Sequence, residues 1–360
     1  MNRHSVLLPG CVSALFALCC QLYAIENTNP SPPWQMIVQW DNDLLTGTDQ
    51  DYTNGSRVAF IREFEQDAPV ETLLQKGLYA LSGAAANAPF HNLRLPKGGD
   101  LRFAGGIGLT HLMFTPDNPT ATSAPRGERP YAAWLGLELS LHAKTDDSVS
   151  SVTLSLGTTG KYSHGEESQE WVHTHISGSP IYQGWGSQVP AEFTANLHLD
   201  HKRRIRSLDT TKDWPIEIDG YTEWGVGLGN LRTDAYLGSL LRAGWNLPAT
   251  YSTPRVQLGS YAHALFREED PKAAPLSILG FAGVRGSAVL HDISLDGPVF
   301  RKFNTGVESK PLAGELLVGL GLRYGRCDLS FSRTQRTDEF TGQNQNQEFG
   351  SVMFRFYSNF

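Results

Sequence analysis

Apolar and polar residues alternate along most of this chain with a period of two. From Tyr131 to Leu141 the odd positions read Tyr, Ala, Leu, Leu, Leu, Leu, with Trp134, Gly136, Glu138 and Ser140 among the even ones. Val152, Leu154 and Leu156 alternate with Ser151, Thr153 and Ser155, and from Leu312 to Tyr324 the even positions read Leu, Gly, Leu, Val, Leu, Leu, Tyr. The chain ends with Val352, Phe354, Phe356 and Phe360 on one parity and Ser351, Arg355 and Asn359 on the other. One apolar face and one polar or small face, over segments of about 10 residues, is the pattern of a transmembrane β-strand. Near the N-terminus, Trp34, Met36, Val38 and Trp40 precede a polar loop, and Val58 and Phe60 follow it, so that region reads strand, loop, strand.

Further strands are expected at 101–114, 192–205, 215–229, 234–246, 253–267, 277–290 and 326–335. The total is twelve or thirteen, and closure of a single-chain bacterial barrel favours an even number, hence twelve. A soluble β-sandwich also alternates. The long apolar strands and the aromatic last strand ending in Phe360, which resembles the assembly signal of outer-membrane barrels, favour the barrel. The expected fold is all-β, a transmembrane antiparallel β-barrel of 12 strands with long extracellular loops.

Connection lengths sharpen this picture. Turns near 143–148 and 229–234 are short, whereas 42–52, 115–128 and 160–191 are long and polar. If strands run strictly up and down, those three loops share one mouth, which faces outside when the N-terminus is periplasmic. The segment 65–100 is also long, and its Val70, Leu73, Leu74, Leu78, Leu81 spacing predicts a short periplasmic helix at the rim.

Composition changes the reading in three places. A net charge of −7 without a basic run argues against nucleic-acid binding. Residues 1–24 read as a secretory signal peptide: Arg3 and His4, an apolar run through Cys11 to Cys20, and Ala24 at a plausible cut, leaving 25–360 as the barrel domain. Three of the four cysteines leave with that segment, so Cys327 stands alone and the exported chain forms no internal disulfide.

Candidate chemistry lies on the long loops. Asp41-Asn42-Asp43, with Asp49 and Asp51, offers hard oxygen ligands that suit calcium. It is not an EF-hand, because Thr46 stands where glycine is required, and an Asx-rich turn capping two strands explains the same residues. Strand parity puts Asp41 and Asp43 opposite the apolar set and turns Asn42 outward unless the strand bulges or ends there. In the 160–191 loop, His173 among carboxylates and amides suits a general base, or a solvated surface residue. His173 and His175 share a face if that piece is extended, but no third nitrogen or sulfur ligand completes a transition-metal site. No Gly-x-Ser-x-Gly elbow occurs, and Gly105-Gly106-Ile107-Gly108 sits within a strand, where it serves close packing rather than phosphate binding.

Several of these motifs together resemble the lipid A 3′-O-deacylase family. They are Asn42-Asp43, Asp51-Tyr52-Thr53-Asn54-Gly55, Gly127-Glu128-Arg129-Pro130-Tyr131-Ala132, Gly165-Glu166-x-x-Gln169-x-x-x-His173, and Gly184-Trp185-x-x-Gln188. The resemblance spans nearly the whole mature chain and implies a twelve-stranded, calcium-dependent outer-membrane enzyme that hydrolyses the ester holding the 3′-acyloxyacyl chain on lipid A. It implies a catalytic histidine at His173, a catalytic asparagine and aspartate at Asn42 and Asp43, a hydroxyl or backbone contributor at Thr53, and a polar residue at Gln169 one helical turn before the histidine. Calcium would be held around Asn42, Asp43 and Thr53, and the partner is lipopolysaccharide in the outer leaflet. Two departures stand out. The basic residue that some members carry in the second outer loop has no match between Thr115 and Ala124, leaving Arg126 and Lys161 as candidate substrate contacts. An acidic residue that can follow the histidine region is replaced around Ser179-Pro180. An outer-membrane phospholipase-type acyl hydrolase and a non-enzymatic porin-like barrel are the alternatives.

Overall fold

The computed structural model describes residues 34–43, 51–64, 102–145, 147–205, 216–248, 254–260, 276–343 and 346–358. The expected signal peptide and the helix expected within 65–100 lie outside these residues. Twelve strands form the wall: β1 (Trp34–Asn42), β2 (Asp51–Glu63), β3 (Arg102–Thr115), β4 (Ala132–Lys144), β5 (Ser148–Thr159), β6 (Phe193–Arg204), β7 (Glu217–Gly229), β8 (Arg232–Trp245), β9 (Leu276–Asp292), β10 (Leu312–Tyr324), β11 (Cys327–Arg336) and β12 (Gln347–Ser358). Each pairs antiparallel with its sequence neighbour, and β1 closes on β12 with Trp34 opposite Ser358 and Asn42 opposite Gly350. Closure leaves no sheet edge, the condition for a strand structure to cross lipid.

The wall is apolar outside and polar inside. On β4, Leu137 and Leu139 are 40% and 43% exposed, whereas Glu138 between them is fully buried. On β6, Leu197 and Leu199 face out, while Asn196, His198 and Asp200 are buried. The alternation therefore divides lipid-facing from lumen-facing residues, as the sequence predicts.

A ring of twelve strands encloses more space than its own wall side chains fill, since eight strands are already enough to be filled by them. Charged side chains and an inserted segment occupy the bore. Arg57 forms a buried pair with Glu138 at 2.7 Å, Lys202 reaches Asp200 at 2.5 Å, and Arg255, Glu315 and Arg336 are linked in series. The described part of the strand expected at 253–267, residues 254–260, is not in the wall: it lies inside the barrel with a single isolated bridge, Gln257 to Ser260. The Arg57 guanidinium donates to the carbonyls of Gln257 at 2.7 Å and Ser260 at 2.8 Å. Gln39 donates to the carbonyl of Arg255 at 2.7 Å, and the Val256 amide donates to Asp41 at 3.1 Å. Val256 also packs with Tyr52, Trp134, Ile293 and Phe349 in an apolar cluster within the ring. The segment satisfies its backbone through lumenal side chains instead of a neighbouring strand, which is why its alternation is misleading.

Candidate active site

The loops that follow β1, β3 and β5 open on the same mouth, so residues far apart in sequence share one rim. β1 ends at Asn42, and Asn42, Asp43 and Thr53 are all buried. The Asn42 amide donates to the carbonyl of Thr53 at 3.0 Å. Asn42 stays in register with Asn54 and Gly350 on the parity of the outward set, yet it is buried at the end of the strand. Across the β2–β3 pair the register shifts between Tyr52 and Asn54, so Thr53 is the additional residue of a bulge. Bulges re-aim side chains at barrel rims, and here the Thr53 hydroxyl meets that of Thr115 at 2.6 Å. Trp40 fixes the neighbouring Asn54 by donating to its side-chain oxygen at 2.6 Å.

The histidine comes from the β5–β6 loop. That loop folds into a 3-10 turn (Gly160–Ser163), helix α1 (Gly165–Val172) and a π-turn (His173–Ser177). Gly165 lets α1 lie against the wall: a Cβ there would meet the Ala133 Cβ at 2.5 Å and the Trp185 ring at 2.8 Å. Gly178 ends the π-turn with φ +69°, its amide donating to the His173 carbonyl at 2.9 Å. Gln169 and His173, four residues apart, are both buried, at 3% exposure each. Trp185 donates to Gln169 Oε1 at 2.7 Å, while the buried Gln169 Nε2 has no hydrogen-bond partner among the described residues.

His173 Nδ1 lies 2.6 Å from the carbonyl oxygen of Pro180. A carbonyl only accepts, so Nδ1 carries a proton, and a neutral ring held this way would present its lone pair at Nε2. The carbonyl of Pro180 thus orients the ring where the sequence departs from the acidic pattern. Tyr182 packs edge-on to the imidazole with centroids 5.9 Å apart, and Tyr131 and Trp185 extend this cluster to Met113. Met113 is opposite Asn54 across the β2–β3 pair, one residue from Thr53. The aromatic cluster under the His173 loop thus includes a β3 residue paired with β2 beside Thr53.

Other expectations fare differently. His175 does not share a face with His173: the segment is helical, and His175 is exposed, stacked on Trp171 at 5.4 Å. Arg126 and Lys161 are both exposed, Arg126 on a turn and Lys161 over the Tyr162 ring. Sequence reasoning missed Thr115, Pro180 and Tyr182 as contributors. Arg129 was visible only as part of a motif. Its buried guanidinium donates to Glu339 at 2.6 Å and Ser294 at 3.1 Å, tying three outer loops together. Burial would raise the Glu339 carboxyl, but Arg336, Arg129 and Arg232 outweigh it and hold the group at about 2.

Among the described residues no group of three or more His, Cys, Asp or Glu side chains could hold a metal. Asn42 and Thr53 bring amide, hydroxyl and carbonyl oxygens to a buried corner, and Asp43, next in the chain, is buried as well. Those donors are hard oxygens, which fit calcium and not a thiolate- or imidazole-seeking metal.

Comparison with known proteins agrees with the fold. The solved structure of LpxR from Salmonella typhimurium superposes with a TM-score of 0.67 at 17% identity, covering 89% of this chain and 99% of that one. The β-domain of the Bordetella autotransporter BrkA is more distant, with a TM-score of 0.39 at 10% identity over 91% of this chain and 98% of that one. No curated protein sequence matches. The sequence model of the outer membrane protein LpxR family matches residues 11–358, nearly the full length over which the barrel and its rim have been described, and the chain belongs to that family.

Proposed function

We propose that this protein is a calcium-dependent outer-membrane esterase that removes the 3′-acyloxyacyl group of lipid A with a His173-activated water. The observation that carries this reading is the buried His173, tied through Nδ1 to the Pro180 carbonyl, which leaves Nε2 to act as the base. Nε2 takes a proton from water as the water oxygen bonds to the ester carbonyl carbon. The carbon–oxygen bond to the sugar then breaks, and the proton passes from Nε2 to the departing sugar oxygen, giving a sugar hydroxyl and a free acyloxyacyl acid. Gln169, held by Trp185 one helical turn away, positions the loop face that carries the base. The oxygens of Asn42, Asp43 and Thr53 would hold calcium, which when bound supplies a Lewis acid for the ester carbonyl. Arg126 and Lys161, exposed on neighbouring loops, are the candidate contacts for lipid A phosphates.

The occupied bore disfavours the porin-like alternative. The phospholipase-type alternative needs a nucleophilic serine beside the base, and among the described residues no serine hydroxyl bonds to His173. The test is the mass of lipid A from cells expressing the protein, with and without a calcium chelator, and from cells expressing His173→Ala. Loss of one acyloxyacyl unit is expected with wild type and calcium, and the variant should lower the rate by roughly 10²–10⁴-fold, the usual worth of a general base. Unchanged lipid A accompanied by fatty acid released from phospholipid would instead support the phospholipase reading.

A further inference from the structure

The loop between β9 and β10 ends in a finger, residues 298–304, that the hydrolytic reading does not use. Val299 and Phe300 are 55% and 78% exposed, and Arg301 and Lys302 beside them are exposed as well. The finger is held at its base. The buried Glu192 carboxylate accepts from the amides of Val299 at 3.2 Å and Phe300 at 2.9 Å, and from Asn230 at 2.9 Å. Glu192 immediately precedes β6, and Asn230 sits in the turn between β7 and β8. The finger is therefore bound back to the ends of these strands, at the edge of the wall.

Neighbouring positions on that edge are apolar and outward: Phe193 is 67% exposed, Leu228 66%, and Leu290 on the finger's own strand 83%. Val299 and Phe300 continue the lipid-facing band, and two cations follow where the band meets water. From 297 to 307 the chain carries no acidic residue to neutralise them. Aromatic and aliphatic side chains with adjacent basic ones are the composition of a segment seated at a membrane interface. We infer that this finger docks on phosphate-bearing lipid headgroups at the rim, Val299 and Phe300 entering the boundary with the acyl chains while Arg301 and Lys302 pair with headgroup phosphates. The inference needs the barrel to sit in a membrane and is independent of whether it hydrolyses lipid A.

The experiment places an environment-sensitive dye on Phe300→Cys, in full-length protein whose other cysteines are serine. The barrel is reconstituted in vesicles of phosphatidylcholine alone or of phosphatidylcholine with phosphatidic acid. Quenching by a phosphatidylcholine carrying a nitroxide near its headgroup reports docking, and heat-modifiable gel mobility checks that each variant is folded. Each cation near an anionic surface contributes about fivefold, so phosphatidic acid should raise the docked population by up to roughly 25-fold, and Arg301→Gln with Lys302→Gln should abolish that rise. Absence of quenching in both vesicle types overturns the proposal, because the finger then stands in water. Equal quenching in both, unchanged by the double substitution, overturns its phosphate-recognising half.

Discussion

Replacing Arg57 by Met should open the bore. The Arg57 side chain is fully buried against Glu138, which is equally buried, and it also holds two carbonyls of the 254–260 segment. Methionine keeps most of the aliphatic volume but leaves the Glu138 carboxylate without its guanidinium. Breaking a buried pair in this way costs about 3–5 kcal/mol. Hydrogen bonds from a charged donor are worth roughly 1.5–3 kcal/mol each, so losing two weakens the hold on the segment by about 3–6 kcal/mol. At about 1.4 kcal/mol per factor of ten, the displaced segment becomes at least 10²-fold more populated. Planar-bilayer recording reads this directly: wild type should be silent and Arg57→Met should show brief openings. Denaturant unfolding should show the variant to be less stable. A variant as silent and as stable as wild type would refute the assignment of Arg57 as the tie between wall and inserted segment.

Three further outcomes follow from the same coordinates. Gly165→Val should lift α1 from the wall, because even a Cβ there meets Ala133 and Trp185 at under 3 Å; lipid A deacylation should fall at least tenfold while heat-modifiable folding persists. The Glu339 carboxyl is depressed from 4.5 to about 2, so its contribution is complete above pH 4.5 and is lost as pH falls toward 2; the depression corresponds to about 3 kcal/mol, and outer-loop proteolysis should rise across that window and not between pH 5 and 7. Thr115→Val removes the hydroxyl partner of Thr53 at nearly constant volume, costing about 1 kcal/mol of local order, and should raise the calcium concentration needed for half-maximal deacylation several-fold.

The wall was legible because lipid sees every second residue, so Leu137, Leu139, Leu197 and Leu199 announce their face without tertiary information. The same rule misreads 254–260, where Arg255, Val256, Gln257 and Leu258 alternate, yet Val256 joins an interior cluster and Gln257 gives its carbonyl to Arg57. Pro254 and Gly259 argue against a central strand there. The charged residues on inward positions of β2, β4, β6, β7, β9 and β10 signal a bore that must be filled, but only once their parity is read across strands. Asn42, Asp43, Thr53, Gln169 and His173, all buried, were singled out by motif. The Pro180 carbonyl was not, because a backbone oxygen has no sequence signature. The shared face of His173 and His175 was conditional on an extended segment, and the helical turn there does not meet that condition.

The occupied bore also closes the lumen as a route to the outer rim. With passage from beneath obstructed, arrival is confined to the long-loop side of the ring, and a lipid comes by sliding within its leaflet. Turnover should then track the mole fraction of substrate in the membrane and stay constant when the same vesicles are diluted into more buffer. On the proposed reading the barrel would act as a catalyst on a surface, with two-dimensional encounter as its natural concentration scale.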